Sequence, residues 1–285
     1  MKRIKINFTD FWPGFNPNDN YFYNLLKQEF IVEISSNPDY MFYSVFGNSH
    51  QKFDGVKISY IGENVAPVFK DDQNPSGADY SFSFDYLDDH RNYRLPHYLL
   101  YDGYYELTRE KKIEDWMANR KFCSFVVSNG NCKLRNEFFL KLSKYKKVDS
   151  AGRHFNNVGF LTKNKLEFLK NYKFNICFEN DAHRGYNQHY TTEKLMQAMQ
   201  ANTIGIYHGN TQIEKEFNKK SFIDVKDFSN LDQAIEFIIE LDKNDDKYLE
   251  MLRTETWLNN NQVPGENKLE SIKKFLYSIF LENFE

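Results

Sequence analysis

The chain has 285 residues, with 37 Lys plus Arg against 40 Asp plus Glu and a formal charge of −3. It therefore carries no global positive field for a nucleic acid. Aromatic residues make up 17% of it, which excludes an intrinsically disordered chain, and a mean hydropathy of −0.70 with no apolar run near about 18 residues predicts no membrane-spanning helix. The length exceeds what one hydrophobic core usually fills, so two domains are expected. Cys123, Cys132 and Cys177 form no C-x-x-C pair and read as reduced thiols of a cytoplasmic protein. The start Met1-Lys2-Arg3-Ile4 leads into no apolar segment, so no secretory signal is expected.

In the first third, residues 4–8, 31–35, 40–45, 56–61 and 80–84 read as short β-branched or aromatic strands. Residues 21–30 place Phe22, Leu25, Leu26 and Phe30 at helical spacing. Strands and a helix with short connections predict an α/β layer with a mainly parallel sheet. Residues 87–119 are polar, then charged, with no expected strand, and mark the passage between halves. The boundary is drawn near Asn119, giving domains 1–118 and 119–285.

A second run of βα units follows. Strands are expected at 122–128, 174–178, 203–207 and 221–225, and helices at 134–145, 161–172, 192–201, 230–241 and 246–253. This is a doubly wound pattern. Residues 268–284 align Leu269, Ile272, Leu276, Ile279 and Phe280 on one stripe. Packing, with the helix returning to the N-terminal domain, is favoured over a membrane-surface role.

The segment most informative about chemistry is Phe174-Asn175-Ile176-Cys177-Phe178-Glu179-Asn180, then a polar loop, then Tyr190-Thr191-Thr192-Glu193-Lys194-Leu195. It reads as a strand with a polar end, a loop, and a helix capped by Thr191 or Thr192. Ligands of α/β sheets sit at that strand edge. Lys194 in the first helical turn opposes the helix dipole unless an anion such as a diphosphate is bound there. A solvated lysine over an ordinary cap is the competing reading.

With Asn202-Thr203-Ile204-Gly205-Ile206-Tyr207-His208-Gly209 and Phe217-Asn218-Lys219-Lys220-Ser221-Phe222-Ile223 added, this run resembles the donor-binding core of glycosyltransferase family 10, the α-1,3/4-fucosyltransferases. The family form is close to F-x-x-C-F-E-N-S…Y-x-T-E-K…P-I-Y-x-G…F-N-P-x-S-F-I. Ser124-Phe125-Val126-Val127-Ser128-Asn129 with Arg135-Asn136 resembles the strand and R-N pair upstream. Gly62-Glu63-Asn64…Pro67, Asp79-Tyr80 and Tyr93-Arg94-Leu95-Pro96 resemble the acceptor-side G-E-N…D-Y…R-x-P pattern. The departures are Gly205 in place of Pro, His208 in place of Trp, a longer loop at 181–189 carrying His183, Arg184 and His189, and no C-terminal heptads.

The resemblance implies a GT-B fold, two Rossmann-like domains facing a cleft, with acceptor on the first half and GDP-fucose on the second. It implies inverting transfer of L-fucose to O3 of GlcNAc (or glucose) in a β-galactosyl acceptor. By the motif match, the catalytic residues are Glu63, the general base, and Glu193, which contacts the ribose or fucosyl group and stabilises cationic character in the transition state. Arg135 and Lys194 hold the diphosphate, Asn180, Tyr190 and Glu179 touch the donor, and Arg94 is structural or acceptor-side. No D-x-D triplet occurs, so neither cofactor nor metal is expected, Mn²⁺ stimulation being compatible. The partners implied are GDP-fucose and a galactose/GlcNAc glycan, in the cytoplasm or peripherally at the inner membrane face. The alternatives are a GT-B enzyme for another nucleotide sugar, or a binding relative that has lost catalysis.

Overall fold

A computed structural model of the protein describes residues 1–65, 77–101, 107, 119–180, 188–256 and 266–282. Pro67 of the acceptor-side pattern, and residues 181–187 of the long loop with His183 and Arg184, lie outside them. The chain divides into two compact units, one of residues 1–100, 184–190 and 265–285, the other of residues 101–183 and 191–264.

Unit 1 contains β1 (Lys2–Thr9), α1 (Tyr21–Leu26), β2 (Phe30–Ile34), β3 (Tyr40–Tyr43), β4 (Val56–Tyr60), β5 (Tyr80–Ser83), β6 (Asn92–Arg94) and α7 (Glu266–Glu282). Its strands pair in parallel in the order β2-β1-β3-β4-β5-β6. β6 corrects the expectation of no strand within residues 87–119. Its polar Asn92 is buried because the Ser83 hydroxyl donates to its Oδ1 at 2.8 Å, a tertiary satisfaction that a local pattern does not carry. α1 begins at Asn20, whose side chain accepts the Tyr23 N–H at 3.0 Å.

Aromatic rings fill one face of this sheet. Phe22 of α1 lies 4.9 Å from Phe82 and 5.3 Å from Phe42, ring centre to ring centre. From α7, Phe275 meets Phe82 edge-on at 5.1 Å, and Phe280 lies 4.4 Å from Tyr40. The apolar stripe of α7 (Ile272, Leu276, Ile279 and Phe280) is fully covered, so this helix is a packed element of unit 1.

Unit 2 contains β7 (Lys121–Phe125), α2 (Lys133–Leu142), β8 (Val148–Ser150), α3 (Lys165–Leu169), β9 (Tyr172–Phe178), α4 (Lys194–Gln200), β10 (Ile204–His208), β11 (Ile223–Asp224), α5 (Leu231–Lys243) and α6 (Asp245–Arg253). Its strand order is β11-β10-β9-β7-β8, again parallel throughout. β8 was not expected from the sequence, and α3 is shorter than the 161–172 helix that was. Phe125, Phe174, Ile176 and Phe178 meet Phe138 and Leu142 of α2 and Ile238 of α5 in one core. The three cysteines are buried and free. No helix among the described residues is long and apolar enough to cross a membrane.

The two units share one winding order. In each, the second strand lies on one side of the first and the third strand on the other, the 2-1-3-4-5 arrangement of flavodoxin-like sheets. Ligands of such sheets sit outside the carboxyl ends of the strands where the winding reverses, between the first and third. In unit 1 that is β1/β3; in unit 2 it is β7/β9.

Because Phe280 is fully covered and joins α7 to β2 and β3, Phe280→Ala is expected to cost about 3–5 kcal/mol. Urea unfolding of the intact chain measures this, and a change under about 1 kcal/mol would contradict the packing described.

Candidate functional site

The winding reversal of unit 2 is closed by Arg135. This side chain of α2 has no exposed surface, and its guanidinium bridges the chain ends that leave the two strands. Nη2 donates to Asn129 O at 2.6 Å, beyond β7, and Nη1 to Phe178 O at 3.3 Å and Asn180 Oδ1 at 2.8 Å, at the end of β9. A buried guanidinium is tolerated only when acceptors meet its fork, and these three fix the path of the F-E-N segment.

The next residue, Glu179, is also buried, and its backbone N–H continues the sheet by donating to His208 O at 2.8 Å. Its carboxylate accepts the Thr192 N–H at 2.7 Å, the Thr192 hydroxyl at 2.7 and 2.9 Å, and the Lys194 ammonium at 3.0 Å. Thr192 is thus committed to Glu179, and Thr191 accepts from Asn210 Nδ2 at 3.0 Å. Neither threonine caps α4, contrary to expectation. Glu193 occupies the cap position, with no side-chain cap bond. Gly209 makes room for this arrangement, since a Cβ there would lie 2.6 Å from Glu179 Cγ.

Lys194 gives two of its three N–H groups to Glu179 and Thr192 Oγ1, at 3.0 and 2.8 Å. Its side chain is 15% exposed, and the third N–H has no acceptor among the described residues. Burial lowers its affinity for the proton, but Glu179 and Glu193 outweigh that and hold its pKa above the ordinary value. Arg135 lies close enough to oppose it electrostatically. Glu193 shows the converse. Burial raises its pKa, yet Lys194 and Lys165, the latter 3.2 Å away, bring the carboxyl from 4.5 down to about 2.

The structure therefore gathers Arg135, Glu179, Asn180, Glu193 and Lys194 at one strand end of unit 2. Two residues went unnoticed in the sequence. Lys165, outside any motif, fixes Glu193. Tyr101 has its hydroxyl pKa raised by burial first and by Glu193 second, and nothing local singles it out.

Tyr190, Glu63 and Arg94 belong to unit 1. Tyr190 is buried with Tyr43, Ile61, Ala78 and Phe84, and Val65 packs on the same cluster. Its ring meets Phe84 at 4.8 Å. Glu63 is the exposed residue of the turn that leaves β4, between Ile61 and Val65, and its carbonyl accepts the Val65 N–H at 2.9 Å. Arg94 stacks on Tyr86 at 3.8 Å and donates to His189 O at 3.4 Å.

Comparison with known proteins agrees with this picture. The family model described as "Alpha-(1,3)-fucosyltransferase FucT N-terminal domain" matches residues 6–101, and "Glycosyltransferase family 10 (fucosyltransferase) C-term" matches residues 116–275. A curated relative, "Alpha-(1,3)-fucosyltransferase FucT" of Helicobacter pylori, is 34% identical over 273 residues, covering 81% of this chain and 55% of its own length. The chain thus spans about half the length of that relative. A solved crystal structure of an alpha1,3-fucosyltransferase superposes with a TM-score of 0.80 at 29% identity, covering 100% of this chain and 91% of the other. Another, of an alpha1,3-fucosyltransferase with GDP-fucose, gives 0.74 at 28% identity, with 97% and 91% coverage. Two α/β units, each on a parallel sheet, are the GT-B architecture.

The depressed Glu193 pKa has a signed consequence. A carboxyl at about 2 when folded and 4.5 otherwise adds stability above pH 4.5, and loses it as pH falls toward 2. Urea unfolding across pH 2–7 should show Glu193→Gln less stable than the parent by a few kcal/mol at neutral pH, with the gap closing below pH 4.5. A gap constant with pH would refute the Lys194–Glu193–Lys165 arrangement.

Proposed function

The chain belongs to glycosyltransferase family 10, and on that footing we propose that it is an inverting α-1,3-fucosyltransferase. It moves L-fucose from GDP-β-L-fucose to O3 of the GlcNAc (or glucose) in a β-galactosyl acceptor, N-acetyllactosamine being the simplest. The observation that carries this reading is the charge set at the end of β9, where a buried, protonated Lys194 keeps one N–H for an anion. The similar alpha1,3-fucosyltransferase solved with GDP-fucose supports the choice of donor.

In the reaction, the bond from the anomeric carbon to the diphosphate oxygen breaks as the bond to the acceptor oxygen forms. Negative charge grows on the departing GDP. Lys194 meets it directly, and Arg135, behind Asn180, adds its charge from inside the unit. These two cations do what a metal does in other transferases, so the proposed reaction needs no metal, and a modest Mn²⁺ stimulation is compatible with it. Asn180 completes the donor contacts, and Glu179 holds Lys194 in place.

The two carboxylates differ in suitability as the base. Glu193, at a pKa of about 2, stays ionised but binds a proton too weakly to take one from a sugar hydroxyl efficiently. Its charge suits ribose hydroxyls or the cationic sugar of the transition state. Glu63, exposed at the end of β4, takes the acceptor proton. Unit 1 then serves the acceptor, with Arg94 on that side, and unit 2 the donor. The reading places the enzyme in the cytoplasm, to which three free buried thiols are suited.

Incubating the purified protein with GDP-fucose and N-acetyllactosamine should release GDP only when the acceptor is present. Release from GDP-mannose instead would overturn the donor assignment. Glu63→Ala should lower kcat by about 10²–10⁴-fold with GDP affinity unchanged within a few-fold, and loss of GDP binding would move Glu63 to the donor site. Lys194→Ala should weaken GDP binding about tenfold or more, and unchanged affinity by calorimetry would refute its phosphate role.

A further inference from the structure

The strand-end site of unit 2 contains one ion pair with a member that no family motif includes. Lys165 is the first residue of α3, which opens at Asn164, whose side chain accepts the Glu167 N–H at 3.2 Å. A cation in that position opposes the helix dipole. The acid of the same helix does not answer it, since Glu167 is paired with Lys170 at 2.6 Å. Lys165 reaches instead to the start of α4. Its ammonium lies 3.2 Å from Glu193 Oε1, and the two side chains are only 21% and 19% exposed. A local helix preference is thus overridden for a covered contact between two helices, where an ion pair is worth more than on an open surface.

The contact decides how the two oxygens of Glu193 are used. Lys194, its neighbour in sequence, turns its ammonium to Glu179 Oε2 and Thr192 Oγ1, at 3.0 and 2.8 Å, and acts on Glu193 through space. Among the described residues, Lys165 alone donates a side-chain hydrogen bond to Glu193, and it does so at Oε1. Oε2 receives none. The backbone of Glu193 is already fixed at the cap position of α4, where its carbonyl accepts the Gln197 N–H at 2.8 Å, so the carboxylate is the part left to orient. With one oxygen tied, the other accepts a ligand hydroxyl without first losing rotamer freedom.

The same contact keeps Glu193 from its other cation. Without Lys165, the cation left to Glu193 is Lys194, whose remaining N–H is the one proposed for the diphosphate, and the carboxylate would compete with the ligand for it. The groups facing Glu193 are Lys165 from α3, Lys194 from α4 and the Tyr101 hydroxyl, while Glu179 of the F-E-N segment and Arg135 of α2 face Lys194. Among these side chains the two lysines hold the Glu193 carboxyl ionised.

We propose that Lys165 is a positioning residue for the donor: by holding Glu193 at Oε1, it presents Oε2 to a ribose hydroxyl of the nucleotide and leaves Lys194 to the diphosphate. The proposal rests on the reading of unit 2 as the donor unit, and it adds to that reading a residue that acts through Glu193 and does not itself touch the ligand.

The test compares the intact chain with Lys165→Met, which keeps the length and apolar stem of the side chain, and Lys165→Arg, which keeps its charge. GDP affinity is measured by calorimetry from pH 7 to pH 4.5. Each variant is expressed as a ratio to the parent at the same pH, so that titration of the phosphate cancels. Lys165→Met should bind GDP about tenfold more weakly at pH 7. The ratio should widen as pH falls, because Glu193 of the parent stays ionised throughout that range whereas in Lys165→Met it begins to take up a proton. Lys165→Arg should stay within a few-fold of the parent. An affinity in Lys165→Met within about twofold of the parent across the range overturns the proposal. So does a loss equal at every pH, or an Arg variant as weak as the Met variant, each the mark of a lysine that only braces α3 against α4. If the parent itself binds no GDP at millimolar nucleotide, the donor reading has failed instead. The hold of Lys165 on Glu193 is then judged by carbon-13 NMR of the Glu193 carboxyl, assigned by its loss in Glu193→Gln. Titration at higher pH in Lys165→Met than in the parent sustains that hold, and identical titration overturns it.

Discussion

The site of unit 2 depends on one buried guanidinium. Arg135 has no exposed surface, so each hydrogen bond it lacks from the protein is a loss that water cannot make good. Its two terminal nitrogens take Asn129 O, Phe178 O and Asn180 Oδ1, and those acceptors lie at or just beyond the ends of two neighbouring strands. At a winding reversal the connections leave the sheet on opposite sides, and the strand ends would otherwise part. The arginine draws them to one point. Everything further along follows from where β9 stops. Glu179 is set against His208 on one side and against Thr192 and Lys194 on the other. A single helix residue thereby fixes the geometry of a loop and of a second helix.

Around that anchor the charges alternate. Lys194 sits between Glu179 and Glu193, and Glu193 between Lys194 and Lys165. Burial alone would draw Lys194 and Glu193 toward their neutral forms; in series, their charged neighbours hold both ionised. The result is a lysine still protonated and a glutamate still ionised in a covered place, with their desolvation already met during folding. An anion arriving at the remaining N–H of Lys194 need not reorganise its surroundings, which is the condition under which such a group is most effective toward developing charge.

The sheets themselves were legible because their strands are apolar runs. Phe174 to Phe178 and Ile204 to Tyr207 are buried on both faces, and a run of that kind announces itself without alternation. The two strands missed, Asn-Tyr-Arg of β6 and Val-Asp-Ser of β8, lie at the sheet edges. They are polar because distant partners satisfy them: Ser83 for Asn92, and Tyr172, Lys121 and Lys147 for Asp149. The threonine cap failed for the same reason, since Glu179 competes for Thr192 from across the loop. Motif residues of the candidate site could be named in advance, as they cluster within short stretches. Lys165 and Tyr101 could not, because no local spacing marks either of them. Contacts made through the fold leave no period in the sequence.

Two units with one winding order offer the same crevice twice, and the chain furnishes the two differently. At β7/β9 the furniture is ionic: Arg135, Glu179, Lys194. At β1/β3 the loops expose the rings of Trp12 and Phe46, and the Asp10 carboxylate is held by His50 and by backbone N–H groups. Topology therefore says where a ligand sits and nothing about which one. Chemistry decides that. A diphosphate asks for fixed positive charge, and a neutral sugar gains little from charge and much from a flat apolar surface with one directed hydrogen bond. The reverse placement would leave the charged ligand on rings and the sugar among desolvated ions, where its hydroxyls could not replace the pairs they would have to break. The proposed allocation of donor to unit 2 and acceptor to unit 1 rests on the side chains at these strand edges. The near-neutral net charge of the chain is the sum of those unlike surfaces and describes neither.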